Sequence, residues 1–186
     1  MRLRKTAYLF FFVLFLFAGF YAGKDAFLLL FNAFCVFTDF KYKKIFNCLT
    51  FPASAAGLIL GTINGGSAGF VLNFTGALAG GAALLPFYLT GGMGAGDVKL
   101  CFAIGAAAGI SELPELLGAG ALAGGIAAFT VLLVKGRLLF CLKRGLNFVF
   151  ALIMPGFKPV CPSGPDDILL PYGGIICLGC ITEILI

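Results

Sequence analysis

The amino-acid sequence predicts an all-α fold, a polytopic membrane helix bundle of about six to seven transmembrane helices with one further interfacial helix. Of 186 residues, 61% are hydrophobic and only 11% are charged, and the mean hydropathy is +1.08. A water-soluble domain cannot cover that much apolar surface. Residues 1–186 are therefore expected to form a single membrane-embedded domain.

Apolar segments follow one another along the chain with short turn sequences between them. They run at about 7–23, 26–39, 51–63, 69–90, 98–111, 116–134 and 167–186. Several are shorter than the ~20 residues that cross a bilayer as a helix, so their ends are expected to extend into polar flanks. Turns are predicted at 23–25, 64–67 and 111–114, where Gly, Asn, Ser and Pro collect.

Two segments leave alternatives open. Segment 7–23 follows the basic start Arg2-Leu3-Arg4-Lys5, which is also how a secretory signal peptide begins, so it is either the first span or a removed leader. Segment 138–157 is apolar but contains Lys143 and Arg144, which favours an interfacial helix. A transmembrane helix at 138–157 would move the C-terminus to the other side of the membrane.

The distribution of basic residues predicts the orientation. Alternate threading of the spans places eleven of the thirteen Lys and Arg residues on one side: Arg2, Arg4, Lys5, Lys41, Lys43, Lys44, Lys99, Lys135, Arg137, Lys143 and Arg144. The opposite side keeps Lys24, Asp25, Glu112 and Glu115. The basic side is then cytoplasmic, with the N-terminus inside.

The residue types that are present restrict the chemistry. With 0 His, a serine or cysteine triad is disfavoured, and zinc lacks its commonest ligand. Cys177 and Cys180 have the spacing of a ligand pair, but no second pair accompanies them, so the seven cysteines are expected to act as small buried apolar residues. No metal and no cofactor is predicted.

Glycine pairs spaced four apart occur in four of the predicted spans. They are Gly57 with Gly61, Gly76 with Gly80, Gly105 with Gly109, and Gly120 with Gly124. Such pairs let helices approach closely in lipid, which predicts a compact bundle.

Two aspartates mark the candidate catalytic site. Asp97 follows the Gly-rich sequence Gly91-Gly92-Met93-Gly94-Ala95-Gly96 and precedes an apolar helix, and Asp39 ends another apolar segment. An ionisable group at the edge of a membrane segment is costly and is a functional candidate by default. The structural alternatives are an i,i+4 pair of Asp39 with Lys43 and a helix-start residue at Asp97.

Two neighbouring carboxyls can hydrolyse a peptide without His or a metal. One, ionised, takes a proton from water, and the other, protonated, polarises the scissile carbonyl. Like charges held close cannot both ionise, which enforces this division. Such a pair titrates as a unit, so the sequence assigns neither role to Asp39 or Asp97.

At these residues the chain resembles the type IV prepilin peptidases and the archaeal preflagellin peptidases. Their second catalytic aspartate lies in a GxGD motif followed by a hydrophobic residue and Lys, and Gly94-Ala95-Gly96-Asp97-Val98-Lys99 matches it throughout. The resemblance implies catalytic roles for Asp39 and Asp97. Motif residues that carry over without an assigned duty are Gly94, Gly96, Lys99, Asn47, Pro171 and Gly173.

The resemblance also has one departure and one omission. An Ile-Pro-Asn-like element follows the first aspartate in the family, whereas Ile45-Phe46-Asn47 has Phe in place of Pro, which makes this turn less rigid. Larger members of the family carry a cytoplasmic insertion with two Cys pairs. This chain lacks the insertion, so it looks like the short, peptidase-only form associated with tight-adherence (Flp-type) pili. Presenilin-like peptidases share GxGD, but their Tyr-Asp and Pro-Ala-Leu motifs do not occur here.

The resemblance implies a substrate, namely pilin precursors whose short basic leader is cut at the cytoplasmic face of the inner membrane. A basic rim does not attract a basic leader, so recognition is expected through the apolar helix of the pilin. The lipid bilayer is the other expected partner, and nucleic acid is not one. The alternative is a non-enzymatic transporter or secretion-system subunit that uses the aspartates for ions or protons.

Overall fold

The computed structural model of the chain describes residues 2–89, 93–134 and 172–186. These residues form four α-helices: α1 (Arg2–Tyr42), α2 (Asn47–Leu89), α3 (Ala95–Val134) and α4 (Tyr172–Leu185). No strand occurs in these ranges, so the predicted all-α class is confirmed. The interfacial helix predicted at 138–157 lies outside the described residues.

Each long helix is divided into two arms by one glycine with a non-helical backbone. The three residues are Gly23 (φ 87, ψ 173), Gly66 (φ 60, ψ -142) and Gly109 (φ 78, ψ 171). Residues with a side chain hardly ever adopt these angles, which is why the chain turns at glycine. Gly23 and Gly66 lie in predicted turns, whereas Gly109 turns the chain two residues before the predicted turn at 111–114.

Aromatic rings hold the two arms of α1 side by side. Phe15 meets Phe27 and Phe31 edge to face, with ring centroids 5.4 and 5.8 Å apart, and Phe11 meets Phe34 in the same way at 5.5 Å. Phe15 and Phe31 lie eight positions before and after Gly23, so the two arms run back along each other. The segment 2–42 is an antiparallel helical hairpin with an aromatic seam.

Small residues bring α2 and α3 into backbone contact. The Asn73 side-chain amide donates to the carbonyl of Gly57 over 3.0 Å and closes the α2 hairpin. A Cβ atom on Gly76 would lie 2.5 Å from the carbonyl oxygen of Gly105, and one on Gly57 would lie 2.6 Å from that of Ala106. No side chain fits at these points, so the close helix packing predicted from the glycine pairs is confirmed here.

The second arm of α3 packs against α4. The Cys180 thiol donates to the carbonyl of Leu116 over 3.3 Å, and a Cβ atom on Gly179 would lie 2.5 Å from the carbonyl oxygen of Ala119. Not every predicted glycine pair serves packing. Gly109 is the bend itself, and a Cβ atom on Gly124 would meet nothing within 4 Å among the described residues.

An ion pair joins two bends at one end of the bundle. The Lys24 ammonium contacts the Glu112 carboxylate, and these residues follow the bends at Gly23 and Gly109. The charge distribution places Lys24 and Glu112 on one side of the membrane, and the contact between them is compatible with that prediction.

The surface is apolar, as a membrane protein requires. Phe17, Phe20 and Tyr21 on α1 are 60%, 66% and 73% exposed, and large apolar side chains are also exposed on α2 and α3. Three of the described helices, Val13–Tyr42, Asn47–Leu89 and Ala95–Thr130, are long and apolar enough to cross a membrane by length and composition. The structure thus supports a membrane protein.

The chain divides into two compact units. The first contains residues 1–124 and 171–186, and every contact described above lies within it. The second contains residues 125–170. Of the second unit the structure describes 125–134, the end of α3, on which Ile126, Phe129 and Leu133 are exposed.

Candidate active site

Asp39 lies in the last turn of α1 with its carboxyl turned inward. Its side chain is buried, with 6% exposed, and Oδ2 accepts a hydrogen bond from the backbone N–H of Gly174 over 2.6 Å. Lys43 contacts Asp39 through the backbone, where its N–H donates to the Asp39 carbonyl over 2.7 Å. The carboxyl is thus engaged by a helix 135 positions away in the chain, not by the lysine four residues on.

Asp97 lies in the first turn of α3 and is held by the residues just before it. Its Oδ2 accepts from the N–H of Gly94 over 3.3 Å, and its own N–H donates to the Gly94 carbonyl over 3.1 Å. This reciprocal contact fixes the carboxyl at the positive end of the helix dipole. Asp97 is partly buried.

The first turn of α4 brings the two aspartates to one place. A Cβ atom on Gly173 would lie 2.8 Å from Oδ1 of Asp97, and a Cβ atom on Gly174 would lie 3.2 Å from Oδ2 of Asp39. Two consecutive residues therefore touch the two carboxyls, one each.

Ile45 packs between the starts of α3 and α4. It belongs to the connection between α1 and α2, and a Cβ atom on Gly173 would contact its Cδ1 atom. A Cβ atom on Gly96 would lie 3.4 Å from Cβ of Ile45. Ile45 is half-buried and follows two exposed lysines. A Cβ atom on Gly173 would meet both the Ile45 side chain and the Asp97 carboxyl, so these two side chains lie on either side of one point.

The two glycines of the GxGD motif, Gly94 and Gly96, contact the site residues without adopting an unusual backbone angle. Gly94 supplies the N–H that meets Asp97, and Gly96 packs against Ile45. Neither has a positive φ. In this region the positive φ belongs to Lys43, at 49°, where the chain leaves α1.

Lys99 and Asn47 join the start of α3 to the start of α2. The Lys99 ammonium donates to Oδ1 of Asn47 over 3.1 Å and lies 5.8 Å from the centre of the Phe51 ring. This contact ties together the two helices that begin beside the aspartates. Pro171 lies outside the described residues.

A family model for the type IV leader peptidase family matches residues 26–129, which is more than half of the chain. The chain belongs to the type IV leader peptidase family. Membership implies a peptidase, and therefore a hydrolase, in agreement with the membrane-protein character of the helices. Comparison with curated proteins and with solved structures finds no match.

The family match covers only part of the candidate site. Asp39, Ile45 and Asp97 lie inside the matched residues, whereas Gly173 and Gly174 lie beyond them. The family match therefore does not include the contact between α4 and the two carboxyls of this leader peptidase, which is seen in the structure.

Four of the cysteines are buried, as predicted: Cys35, Cys101, Cys177 and Cys180. Cys48 is partly exposed, and Cys141 and Cys161 lie outside the described residues. In the described ranges, no group of three or more His, Cys, Asp or Glu side chains is arranged to hold a metal ion.

Sequence reasoning missed Gly174 and left Ile45 without a role. The signals were present, because Gly173 and Gly174 form a doublet after Pro171-Tyr172, and Ile45 is an apolar residue after two lysines. Neither pattern predicts contact with an aspartate, since that contact depends on how α4 packs against α1.

Proposed function

We propose that this leader peptidase is an aspartic endopeptidase in which Asp39 and Asp97 form the catalytic pair. The observation that carries the proposal is the first turn of α4, whose consecutive residues Gly173 and Gly174 each lie against one of the two carboxyls. Residues from α1, α3 and α4 meet at this point, although they are distant in the chain. No packing requirement explains two carboxyls at one site in an apolar bundle, whereas hydrolysis by paired carboxyls requires them.

The proposed reaction needs only the two carboxyls and water. The ionised member takes a proton from a water molecule, whose oxygen attacks the scissile carbonyl carbon while the protonated member donates to the carbonyl oxygen. On collapse of the tetrahedral intermediate the C–N bond breaks, the carboxyl that took the water proton gives it to the leaving amine, and the other carboxylate takes a proton from a hydroxyl of the intermediate, so the pair again holds one proton. Repulsion between like charges keeps one proton on the pair in the resting enzyme.

The location of the pair favours a peptidase over a transporter. Asp39 lies in the last turn of α1 and Asp97 in the first turn of α3, so both lie at helix ends. A transporter that carries ions through the bundle requires carboxyls at mid-span, whereas a peptidase that cuts at the membrane surface requires them at the rim.

The proposed substrates are pilin-like precursors of the Flp type, cut at the cytoplasmic face of the inner membrane. Lys41, Lys43 and Lys44 are exposed beside Asp39, and a basic rim is typical of the cytoplasmic side. The same charges do not attract a basic leader. Binding is therefore assigned to the apolar helix of the precursor, which packs against the exposed apolar surface of the bundle.

The test is cleavage of precursor proteins by variants of the two aspartates. Candidate pilin precursors from the same genome are co-expressed with the chain, and loss of the leader is followed on a gel. Asp39→Asn and Asp97→Asn should each abolish cleavage, because an amide keeps the shape of the carboxyl but does not exchange protons in the same way.

Asp25→Asn is the matched control for this test. Asp25 is an exposed carboxylate in α1, just after the bend at Gly23, and its replacement should leave cleavage unchanged. Membrane insertion of all three variants is checked by fractionation. Full cleavage by Asp39→Asn or by Asp97→Asn would remove that residue from the catalytic assignment.

A further inference from the structure

The first turn of α4 contacts both carboxyls through residues that have no side chain. Gly173 and Gly174 are the second and third residues of α4 (Tyr172–Leu185), and both are buried. We propose that Gly173 and Gly174 are positioning residues, which hold the Asp39 and Asp97 carboxyls at the separation and orientation that hydrolysis requires. This inference rests on the proposed function, because it gives a duty to residues beside that catalytic pair.

Gly174 acts through its backbone N–H. The first N–H groups of a helix have no acceptor within the helix, and the N–H of Gly174 is used by Oδ2 of Asp39 at 2.6 Å. Asp39 supplies this acceptor, so the end of α1 and the start of α4 hold each other in place.

Gly173 acts by leaving space. A Cβ atom there would contact Cδ1 of Ile45 and would lie 2.8 Å from Oδ1 of Asp97, closer than carbon and oxygen can approach without a shift. The movable group is the Asp97 carboxyl itself, which would rotate away from Gly173 and out of its present orientation. At Gly174 the crowding is smaller, since a Cβ atom would lie 3.2 Å from Oδ2 of Asp39 and 3.1 Å from two carbons of the Phe40 ring.

These distances predict an order of effects. A shift of a few tenths of an ångström in a catalytic group costs about tenfold in rate, since a displacement of about 1 Å costs about a hundredfold. Gly174→Ala should lower kcat about tenfold, and Gly173→Ala should lower it further. KM should change less than about twofold in both, because neither residue is proposed to bind the precursor.

The measurement uses the purified full chain in detergent with a pilin precursor that the unmodified protein cleaves. Gly118→Ala is the matched control, because Gly118 is a helical residue of α3 whose added Cβ atom would meet nothing within 4 Å among the described residues. Each variant is assayed for kcat, for KM and for its thermal unfolding midpoint. Loss of kcat with KM and the midpoint equal to those of Gly118→Ala is the expected result.

A double variant separates the contact with Asp97 from the contact with Ile45. Ile45→Val removes Cδ1, the nearest atom to the added Cβ atom, and leaves Asp97 unchanged. Gly173→Ala combined with Ile45→Val should therefore fold like Ile45→Val alone and should still have a low kcat. Recovery of kcat in the double variant would assign the effect to crowding of Ile45 and would overturn the positioning role of Gly173.

The remaining outcomes distinguish the inference from the proposed function. If Asp39→Asn and Asp97→Asn are inactive while both glycine variants keep kcat within twofold, the positioning role is wrong and the catalytic pair stands. A loss confined to KM, or one that follows a lowered unfolding midpoint, also overturns the positioning role. If either Asn variant still cleaves, the proposed catalytic pair fails first.

Discussion

At the scale of single residues, the environment of Asp39 is what most separates the candidate site from the rest of the bundle. A carboxyl is seldom buried unless it has a partner, and Asp39 is 6% exposed with its partner on α4. Asp25, on the same helix, is exposed and makes no comparable contact among the described residues. The burial of Asp39 costs free energy that membrane insertion alone does not require, which is the physical reason to assign it a chemical role.

Chelators should leave cleavage unchanged. The chain has 0 His, and hydrolysis by two carboxyls uses no metal. The measurement is leader removal by the purified chain with EDTA or with a zinc-specific chelator, compared with untreated enzyme. Inhibition that is reversed by added zinc would contradict the aspartic mechanism.

At the scale of secondary-structure elements, single glycines decide how the long helices are divided. The angles at Gly23, φ 87 and ψ 173, are open in practice to glycine alone, and the aromatic seam of α1 depends on the turn there. Lack of space for a side chain is not the reason for glycine at this position, since a Cβ atom on Gly23 would meet nothing within 4 Å among the described residues.

Gly23→Ala should destabilise the bundle through the backbone alone. The substitution forces alanine into a glycine-only conformation, which costs about 1 to 3 kcal/mol of unfolding free energy. Gly118→Ala is the control, because it adds the same methyl group to a regular helix and should be neutral or slightly stabilising. The measurement is the thermal unfolding midpoint in detergent, and equal midpoints for the two variants would contradict the assignment of strain to Gly23.

At the scale of the whole molecule, the contacts distinguish two ends of the first unit. Lys24 and Glu112 pair beside two of the bends, whereas Asn47 and Lys99 meet beside the aspartates. Both groupings agree with the sides predicted from the charge distribution. Which end faces the cytoplasm stays a prediction, and the excess of Lys and Arg assigns the aspartate end to it.

Labelling of Cys48 tests that orientation. Cys48 lies in the first turn of α2 near the aspartate end and is partly exposed, whereas the four other described cysteines are buried. In a chain with Cys141→Ser and Cys161→Ser, a membrane-impermeant thiol reagent should miss Cys48 in intact cells and label it after the cells are opened. A further Cys48→Ser variant gives the background signal. Labelling from outside intact cells would invert the topology and place both aspartates away from the cytoplasm.

The sequence by itself determined the class of protein and the approximate helices, and it singled out both aspartates as candidates. Composition is a property of the whole chain, so 61% hydrophobic residues predict a membrane bundle without any contact being known. Turn sequences act locally, which is why the bends at Gly23 and Gly66 were predictable. Asp39 and Asp97 were identifiable because a carboxyl at the edge of an apolar segment is costly wherever it lies.

Only the tertiary structure decided what surrounds the aspartates. The N–H of Gly174 meets Asp39 across 135 positions of the chain, and Ile45 lies against Gly173 through the packing of three helices. The bend at Gly109, before the predicted turn, likewise depends on where α2 and α3 touch. Patterns over a few neighbouring residues do not predict such contacts, because the contacts form only when small residues allow distant backbones to approach each other.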